Sequence, residues 1–281
     1  MCKKRFSKTL YISDLDGTLL NQDQELSDFT REQINHLIQN GLSFTFATAR
    51  SLTTAREATK GLDLKLPVIV YNGAFVQDFA SGASVIARLF SKVQKEDILA
   101  RFHVHDLHPR VYALQEGAER FSYEADKVSQ GTRAYLAKRC SDKRARPTTQ
   151  EDLISGDVFC FSVIDEYEKL LPLCQELKES YHVVLYQDPY TGDWWLEVLP
   201  QDATKADAVL ALKTLYGFEK VVVFGDEKND LSMFAVADES FAVANANEEV
   251  KRAASGVIES NELNGVTLYL MSCYEKYKNM N

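Results

Sequence analysis

Residues 11–20 read YISDLDGTLL. An apolar run ends in Asp14, Asp16 stands two positions on, and Gly17-Thr18 follows at once. TLYIS (9–13) is a strand by its β-branched, apolar character. Outward from it the element types alternate. SDFTREQINHLIQNG (27–41) opens on the capping residue Ser27, carries apolar side chains at Phe29, Ile34, Leu37 and Ile38, and stops at Gly41, so it reads as an amphipathic helix. LSFTFAT (42–48) is a strand, SLTTAREATKGL (51–62) a helix and PVIVYNG (67–73) a strand. The last third repeats the pattern: helix ATKADAVLALKTLYG (203–217), strand KVVVFGD (220–226), helix DLSMFAVAD (230–238), strand SFAVANA (240–246), helix NEEVKRAASG (247–256) with a glycine stop, and a closing helix GVTLYLMSCYEKYK (265–278). Strands that alternate with helices imply crossover connections and a parallel sheet.

The middle is different. Helix-like SKVQKEDILARFHVH and DEYEKLLPLCQELKES mix with strand-like SVIARLF, RVYALQ, DVFCFSVI, HVVLYQ and DWWLEVL. The expected architecture is α/β: a Rossmann-like parallel core from residues 1–82 and 194–281, interrupted by an inserted α+β domain at 83–193. A chain of 281 residues is long enough for two such domains.

Composition narrows the function class. A formal net charge of -9 argues against nucleic acid and anionic membrane surfaces as partners. Cys2, Cys140, Cys160, Cys174 and Cys273 are odd in number, widely spaced and without a C-x-x-C, which fits a reducing compartment better than a disulfide framework or thiolate metal site. The basic start MCKKRFSKTLYISD has no apolar segment long enough for a signal peptide, and no stretch approaches the ~18 apolar residues of a membrane helix. The expectation is a cytoplasmic protein, with monomer and homodimer both open.

Four strands of the outer segments end alike. TLYIS runs into Asp14, LSFTFA into Thr48, VIVY into Asn72 and VVVFG into Asp226. Ligands of open parallel sheets bind outside the carboxyl ends of the strands, so parallel neighbours would crowd these four residues on one rim. A right-handed crossover adds Lys205, near the amino end of its helix. Asp14, Asp226 and the backbone carbonyl of Asp16 are hard oxygen ligands suited to Mg²⁺. With the carboxylates neutralised, Asp14 can attack phosphorus as a nucleophile and Asp16 can serve as general acid and base. Gly17 permits the sharp turn, and Thr48, Lys205 and Asn229 are the types that hold phosphoryl oxygens. Singly, each has a plainer reading: a surface turn, a helix cap, a solvent-facing lysine. An EF-hand also fits at Asp14, Asp16, Thr18 and Glu25, but its sixth position is Leu19 where glycine is needed, and a strand rather than a helix precedes it.

These motifs resemble the haloacid dehalogenase superfamily of phosphohydrolases, and within it the Cof-type (IIB) subfamily. The family's DxDGTLL is intact at Asp14–Leu20, its Thr-Gly-Arg appears as Thr48-Ala49-Arg50, its Asn-Gly-Ala as Asn72-Gly73-Ala74, its motif lysine as Lys205-Ala206, and its GDxxND as Gly225-Asp226-Glu227-Lys228-Asn229-Asp230. FAVANANEEVKRAAS is also similar to the family's later region. The resemblance implies Asp14 as nucleophile and metal ligand, Asp16 as acid and base, and Asp226 as metal ligand. It implies phosphate binding by Thr48, Lys205, Asn229 and the amides of Leu15 and Ala49, and an Asp230 that orients Lys205 or metal-bound water. Arg50 and Asn72 would support the site. The insert would be a mobile C2-type cap that sets specificity. Alanines 49 and 206 stand where the pattern has glycine.

The expected activity is Mg²⁺-dependent hydrolysis of small phosphorylated metabolites through an aspartyl phosphate, with sugar phosphates first and pyridoxal phosphate or flavin mononucleotide next. The alternatives are a phosphomutase on the same core and a non-catalytic phosphometabolite sensor. In RFHVHDLHPR, His103, His105 and His108 with Asp106 could hold a second metal, but no further ligand stands at a defined spacing, and the reading is a surface helix end. KRCSDKRARP (138–147) reads as a solvated basic loop. Trp194 and Trp195 fall on a strand of the insert, and alternation sends one into its packing and leaves the other as a candidate to face substrate.

Overall fold

The computed structural model describes residues 8–188 and 191–279. The signal-peptide reading of the first seven residues, and Cys2, lie outside them. The chain divides into two compact units, one holding the residues up to Ala87 and from Thr204 onward, the other Arg88–Ala203.

The first unit begins with β1 (Thr9–Ser13), α1 (Asp28–Gln39), β2 (Ser43–Phe46), α2 (Leu52–Ala58), β3 (Val68–Val70), β4 (Phe75–Gln77) and β5 (Ser84–Ala87). Ser27 and Ser51 cap α1 and α2 by accepting from Thr30 N and Thr54 N. α1 buries Thr30, Ile34, Leu37 and Ile38, but Phe29, expected on that face, is 39% exposed. The second unit follows with α3 (Lys92–Val104), β6 (Arg110–Gln115), β7 (Ala118–Tyr123), α4 (Gln130–Ala137), β8 (Ala145–Pro147), β9 (Asp157–Asp165), α5 (Tyr167–Leu177), β10 (His182–Gln187) and β11 (Trp194–Leu199). The chain then returns to the first unit with α6 (Lys205–Tyr216), β12 (Lys220–Gly225), α7 (Leu231–Val236), β13 (Glu239–Val243), α8 (Glu248–Ala253), β14 (Gly256–Ile258) and α9 (Gly265–Asn279).

The core sheet has the order β14-β13-β12-β1-β2 with every pairing parallel. A parallel bridge from Ala47 to Ile69 brings β3 beside β2, and β3, β4 and β5 form a small antiparallel sheet. β1 is therefore central. Its Leu10 and Ile12 have no exposed surface, and truncating either to alanine would cost about 2–5 kcal/mol. The insert sheet runs β10-β11-β9-β6-β7-β8, antiparallel except for β7 with β8. One apolar cluster fills it, with Ile98 and Phe102 of α3, Leu170 of α5, and Val111, Phe161 and Leu196 of the sheet.

The expected limits of the insert shift at both ends. Ser84–Ala87 pairs with β4 in the first unit, so the insert starts at Arg88 rather than 83. Trp194–Leu199 pairs with β9 and β10, so it ends at Ala203 rather than 193. Gly256, read as a helix stop, opens the last strand. Within the basic run at 138–147, Arg144 pairs with Glu119 at 2.5 Å and Asp142 at 2.8 Å. Cys140, Cys160, Cys174 and Cys273 are free thiols. Among the described residues no helix is long and apolar enough to cross a membrane.

Candidate active site

β1, β2, β3 and β12 are neighbours and parallel, so Asp14, Thr48, Asn72 and Asp226 leave the sheet at the same edge. Asp14 N donates to Phe224 O at 2.9 Å, Thr48 N to Ile69 O at 2.9 Å and Asn72 N to Thr48 O at 3.0 Å, which stitches the strand ends together. All four side chains are buried.

The centre of the site is an ammonium between carboxylates. Lys205, in the first turn of α6 and 1% exposed, lies 2.6 Å from Asp14 Oδ1 and 2.7 Å from Asp230 Oδ1. Asp230 Oδ2 accepts from the amides of Asp226 at 2.9 Å and Glu227 at 3.1 Å. Both oxygens of Asp230 are thus committed to holding Lys205 and the turn after β12. Asp226 Oδ1 accepts from Thr18 Oγ1 at 2.8 Å. Gly17 sits at φ +73°, and a Cβ there would overlap Asp226 Oδ2. Glycine therefore meets both a backbone and a steric requirement. Gly73, at φ +104°, is confined in the same way by the Thr204 carbonyl at the start of α6.

Charge is not balanced in this cluster. Asp14, Asp226 and Asp230 place a carboxylate oxygen each within 4.8 Å of one another, against the single ammonium of Lys205. Burial pushes the Asp14 carboxyl well above the usual range, with Lys205 opposing and the other carboxylates adding to it. Burial, then repulsion from Asp230, pushes Asp226 up to about 7. Burial pulls the Lys205 ammonium down, but Asp14 and Asp230 outweigh it and the net shift is upward. Three carboxylates facing one ammonium are the setting that a hard divalent cation relieves, so the donor set fits Mg²⁺. Asp14 and Asp226 would hold it, Asp230 being fully used elsewhere.

Asp16 is partly exposed and sits apart from that cluster in a bidentate pair with Arg50, Nε to Oδ2 at 2.8 Å and Nη2 to Oδ1 at 2.5 Å. Arg50 Nη2 also donates to Gln24 Oε1 at 2.9 Å. Asn229 Nδ2 reaches Asn72 Oδ1 at 3.4 Å, and Asn72 holds φ +52°. Thr48 Oγ1 accepts from Arg50 N at 3.1 Å. Leu15 is fully buried, and its carbonyl accepts from Thr18, Leu19 and Leu20 N, which curls the DGT turn. Ala49 is exposed, and neither it nor Ala206 lies at positive φ, so alanine at these two positions carries no backbone strain.

Several groups were not anticipated. Thr18 fixes Asp226, and Asn245, beyond β13, donates to Gly17 O at 2.7 Å. The ANAN stretch holds Asn245, and its amide-rich polarity after a strand was the available signal. In the insert, register aligns Arg110 of β6, Ser162 of β9 and Glu197 of β11 in one row. Arg110 has no exposed surface, donates from Nη2 to Ser162 Oγ at 2.9 Å, and lies 4.0 Å from the Tyr135 ring centre and 4.8 Å from that of Trp195. Burial pushes Glu197 up to about 7 against the pull of Arg110. Trp195 stacks on Tyr186 on this face, whereas Trp194 packs against the apolar cluster and Tyr167. An arginine opening the otherwise apolar RVYAL was the only sequence hint of this row.

The comparisons with known proteins agree with this layout. A family model of haloacid dehalogenase-like hydrolases matches residues 11–270. The 5-amino-6-(5-phospho-D-ribitylamino)uracil phosphatase YwtE of Bacillus subtilis is 29% identical, over 92% of this chain and 95% of that protein. YitU of the same organism, bearing the same enzyme name, is 26% identical over 92% of this chain and 94% of its own length. The crystal structure of TM0651 from Thermotoga maritima superposes with a TM-score of 0.77 at 26% identity, covering 94% of this chain and 96% of that one. With its motifs in order along a parallel core and a family model spanning nearly the whole sequence, this chain belongs to the haloacid dehalogenase-like hydrolases, of the Cof type.

Proposed function

We propose that the chain is a Mg²⁺-dependent phosphatase of small phosphorylated metabolites that works through a covalent phosphate on Asp14. The observation that carries this reading is the Lys205 ammonium 2.6 Å from Asp14 and 2.7 Å from Asp230 at the carboxyl edge of the sheet, with Asp16 two residues beyond. Lys205 holds Asp14 Oδ1, which leaves Oδ2 as the attacking atom. That oxygen forms a bond to phosphorus as the phosphorus–ester oxygen bond breaks, and the departing oxygen takes a proton from Asp16. Asp16, now a carboxylate, accepts a proton from the water whose oxygen attacks phosphorus. The bond to Asp14 then breaks, and inorganic phosphate leaves. Lys205, Thr48 and Asn229 hold the phosphoryl oxygens as charge builds on them. Held by Arg50 through both oxygens, Asp16 is a carboxylate; to act as general acid it must first give up at least one of these hydrogen bonds and take a proton from solvent, so Arg50 keeps it parked until substrate arrives. When bound by Asp14 and Asp226, Mg²⁺ supplies the positive charge that keeps both ionised and lets a carboxylate approach an anionic phosphate.

For the substrate, the ribitylaminouracil phosphate named for YwtE and YitU favours a phosphate ester of a polyol or sugar, here joined to a planar heterocycle. That ranks sugar and polyol phosphates first and flavin mononucleotide next. The Arg88–Ala203 insert is proposed to select among them.

The test is phosphate release from a panel of polyol, sugar, pyridoxal and flavin phosphates, with and without Mg²⁺, for wild type, Asp14→Asn and Asp16→Asn. Release that needs the metal and both carboxylates supports the reading and excludes a sensor. Equal release by wild type and Asp14→Asn would refute the covalent mechanism. Transfer of phosphate between positions of a sugar, with little release, would make the chain a phosphomutase.

A further inference from the structure

The insert holds a second convergence of ligand-type side chains, remote in sequence from the aspartate motifs. His103 stands in the last turn of α3, His108 in the loop that follows, and Glu124 directly after β7. Each offers a ligand atom, and the three atoms lie within 4.8 Å of one another. His103 Nε2, His108 Nδ1 and Glu124 Oε2 are all buried, and among the described residues none has a hydrogen-bond partner. Burying a polar atom without a partner is costly, and three such atoms on one cluster of ligand-type side chains point to a cation as their partner.

The surroundings free these three atoms and hold them. Glu124, whose side chain is 8% exposed, gives its other oxygen to Lys127 Nζ at 2.9 Å, which turns Oε2 inward. Asp106 Oδ1 lies 3.7 Å from His108 Nε2, beyond hydrogen-bond distance, on the side of the ring away from Nδ1. The two imidazole rings lie 5.6 Å apart between centres. His108 Nδ1 approaches Glu124 Oε2 to 3.5 Å, outside hydrogen-bond geometry. That separation is close to the ~3.4 Å edge of a tetrahedron with ligands at about 2.0–2.1 Å from a zinc ion. His105, the third histidine of the segment, takes no part because its Nε2 meets Glu176 at 2.9 Å.

We propose that His103, His108 and Glu124 form a Zn²⁺ site in the insert, with a fourth position open to water or ligand. Two imidazoles and one carboxylate suit Zn²⁺ and Co²⁺ and disfavour Mg²⁺, so this site and the Asp14/Asp226 site select different metals. Bound zinc would tie the end of α3 to the strand end at β7, two elements that otherwise meet here through unsatisfied groups.

The experiment uses the full-length chain, freed of metal, in wild type and in an Asp226→Asn background that disables the core site. Zn²⁺ is titrated in competition with a chromophoric chelator, and Co²⁺ is titrated by its visible d–d absorption. The expected result is one Zn²⁺ per chain in the Asp226→Asn background, where the core site is disabled, and a Co²⁺ band of tetrahedral intensity there. His108→Ala should weaken Zn²⁺ binding at least 100-fold and abolish the band, and Glu124→Gln should weaken it at least tenfold. Circular dichroism reports whether each variant folds, and Glu124→Gln decides the matter should His108→Ala not fold. Absence of Zn²⁺ binding by folded Asp226→Asn, or binding there that survives both substitutions within threefold, overturns the proposal.

Discussion

Replacing Asp226 with asparagine should stabilise the metal-free protein at pH 8 while removing its metal-dependent activity. Asp226 is 9% exposed and faces Asp230, and its carboxyl is pushed up to about 7 from an ordinary 3.8. A carboxyl whose folded value lies above its unfolded one binds more protons folded than unfolded, so stability falls as pH rises between about 4 and 7. Above pH 7 the full penalty is present, and at 1.36 kcal/mol per unit the shift corresponds to a ceiling of about 4 kcal/mol. Rearrangement around the coupled carboxylates brings the expected gain to about 2 kcal/mol. Asparagine keeps an oxygen for Thr18 Oγ1, so the hydrogen bond at 2.8 Å need not be lost. The assay is urea unfolding in EDTA at pH 8 and pH 5 for wild type and Asp226→Asn, scored on the midpoint at constant slope. The gain at pH 8 should exceed that at pH 5 by at least about 1 kcal/mol, because at pH 5 most of the wild-type penalty is already relieved by protonation. An Asp226→Asn protein no more stable than wild type at pH 8, or equally stabilised at both values, would refute the idea that uncompensated negative charge is held in this site for a cation.

Lys205→Met should cost about 3–5 kcal/mol of stability, since it strands Asp14 and Asp230 as unpaired buried charges, and should lower kcat by about 10²–10³; calorimetry and steady-state kinetics check both. Gly17→Ala should cost at least about 1 kcal/mol for its φ of +73° and, by displacing Asp226, raise the Mg²⁺ concentration for half-maximal activity about tenfold in a metal titration. Arg50→Lys keeps the charge beside Asp16 but not the two-point grip; stability should change by less than about 1 kcal/mol while kcat falls about tenfold, and unchanged kcat would mean that Arg50 does not position Asp16. Arg110→Met removes the opposing charge from Glu197, whose carboxyl already stands up to about 7, so the variant should lose about 1 kcal/mol more at pH 8 than at pH 5 in urea unfolding.

The parallel core was legible in the sequence because its signals are local. The span of β1 was read at Thr9–Ser13, and Ser27, Ser51 and Gly217 mark helix ends by cap chemistry that depends on a few neighbouring residues. What failed was whatever depends on a distant partner. Ser84–Ala87 and Trp194–Leu199 look alike as alternating strands, and only pairing, with Phe75–Gln77 in one case and Asp157–Asp165 in the other, assigns them to different domains. Gly256 is an apt helix terminator by composition, yet it follows a helix already ended at Ala253 and pairs with Phe241. At the site, residue types at strand ends named Asp14, Thr48, Asn72 and Asp226, and the family resemblance named Asp230 as a partner of Lys205, but the grip of Arg50 on Asp16 follows from side-chain direction, which spacing does not encode. Glu124 joins two histidines more than fifteen positions away by the same kind of long-range closure.

The position of β1 has a consequence for how the protein is made. One edge of that strand pairs with Ser43–Phe46, which leaves the ribosome soon afterwards, but the other edge pairs with Lys220–Phe224, about 200 residues later. At roughly 5–20 residues per second, the nascent chain carries half of its central strand unpaired for about 10–40 s, while the whole insert is synthesised. The apolar edge of Leu10–Ile12 is then a natural client for a holding chaperone. A ribosome that stalls before Lys205 leaves behind a nascent chain that has Asp14 and Asp16 and lacks Lys205, Asp226 and Asp230, the charged groups that face Asp14 in the folded protein.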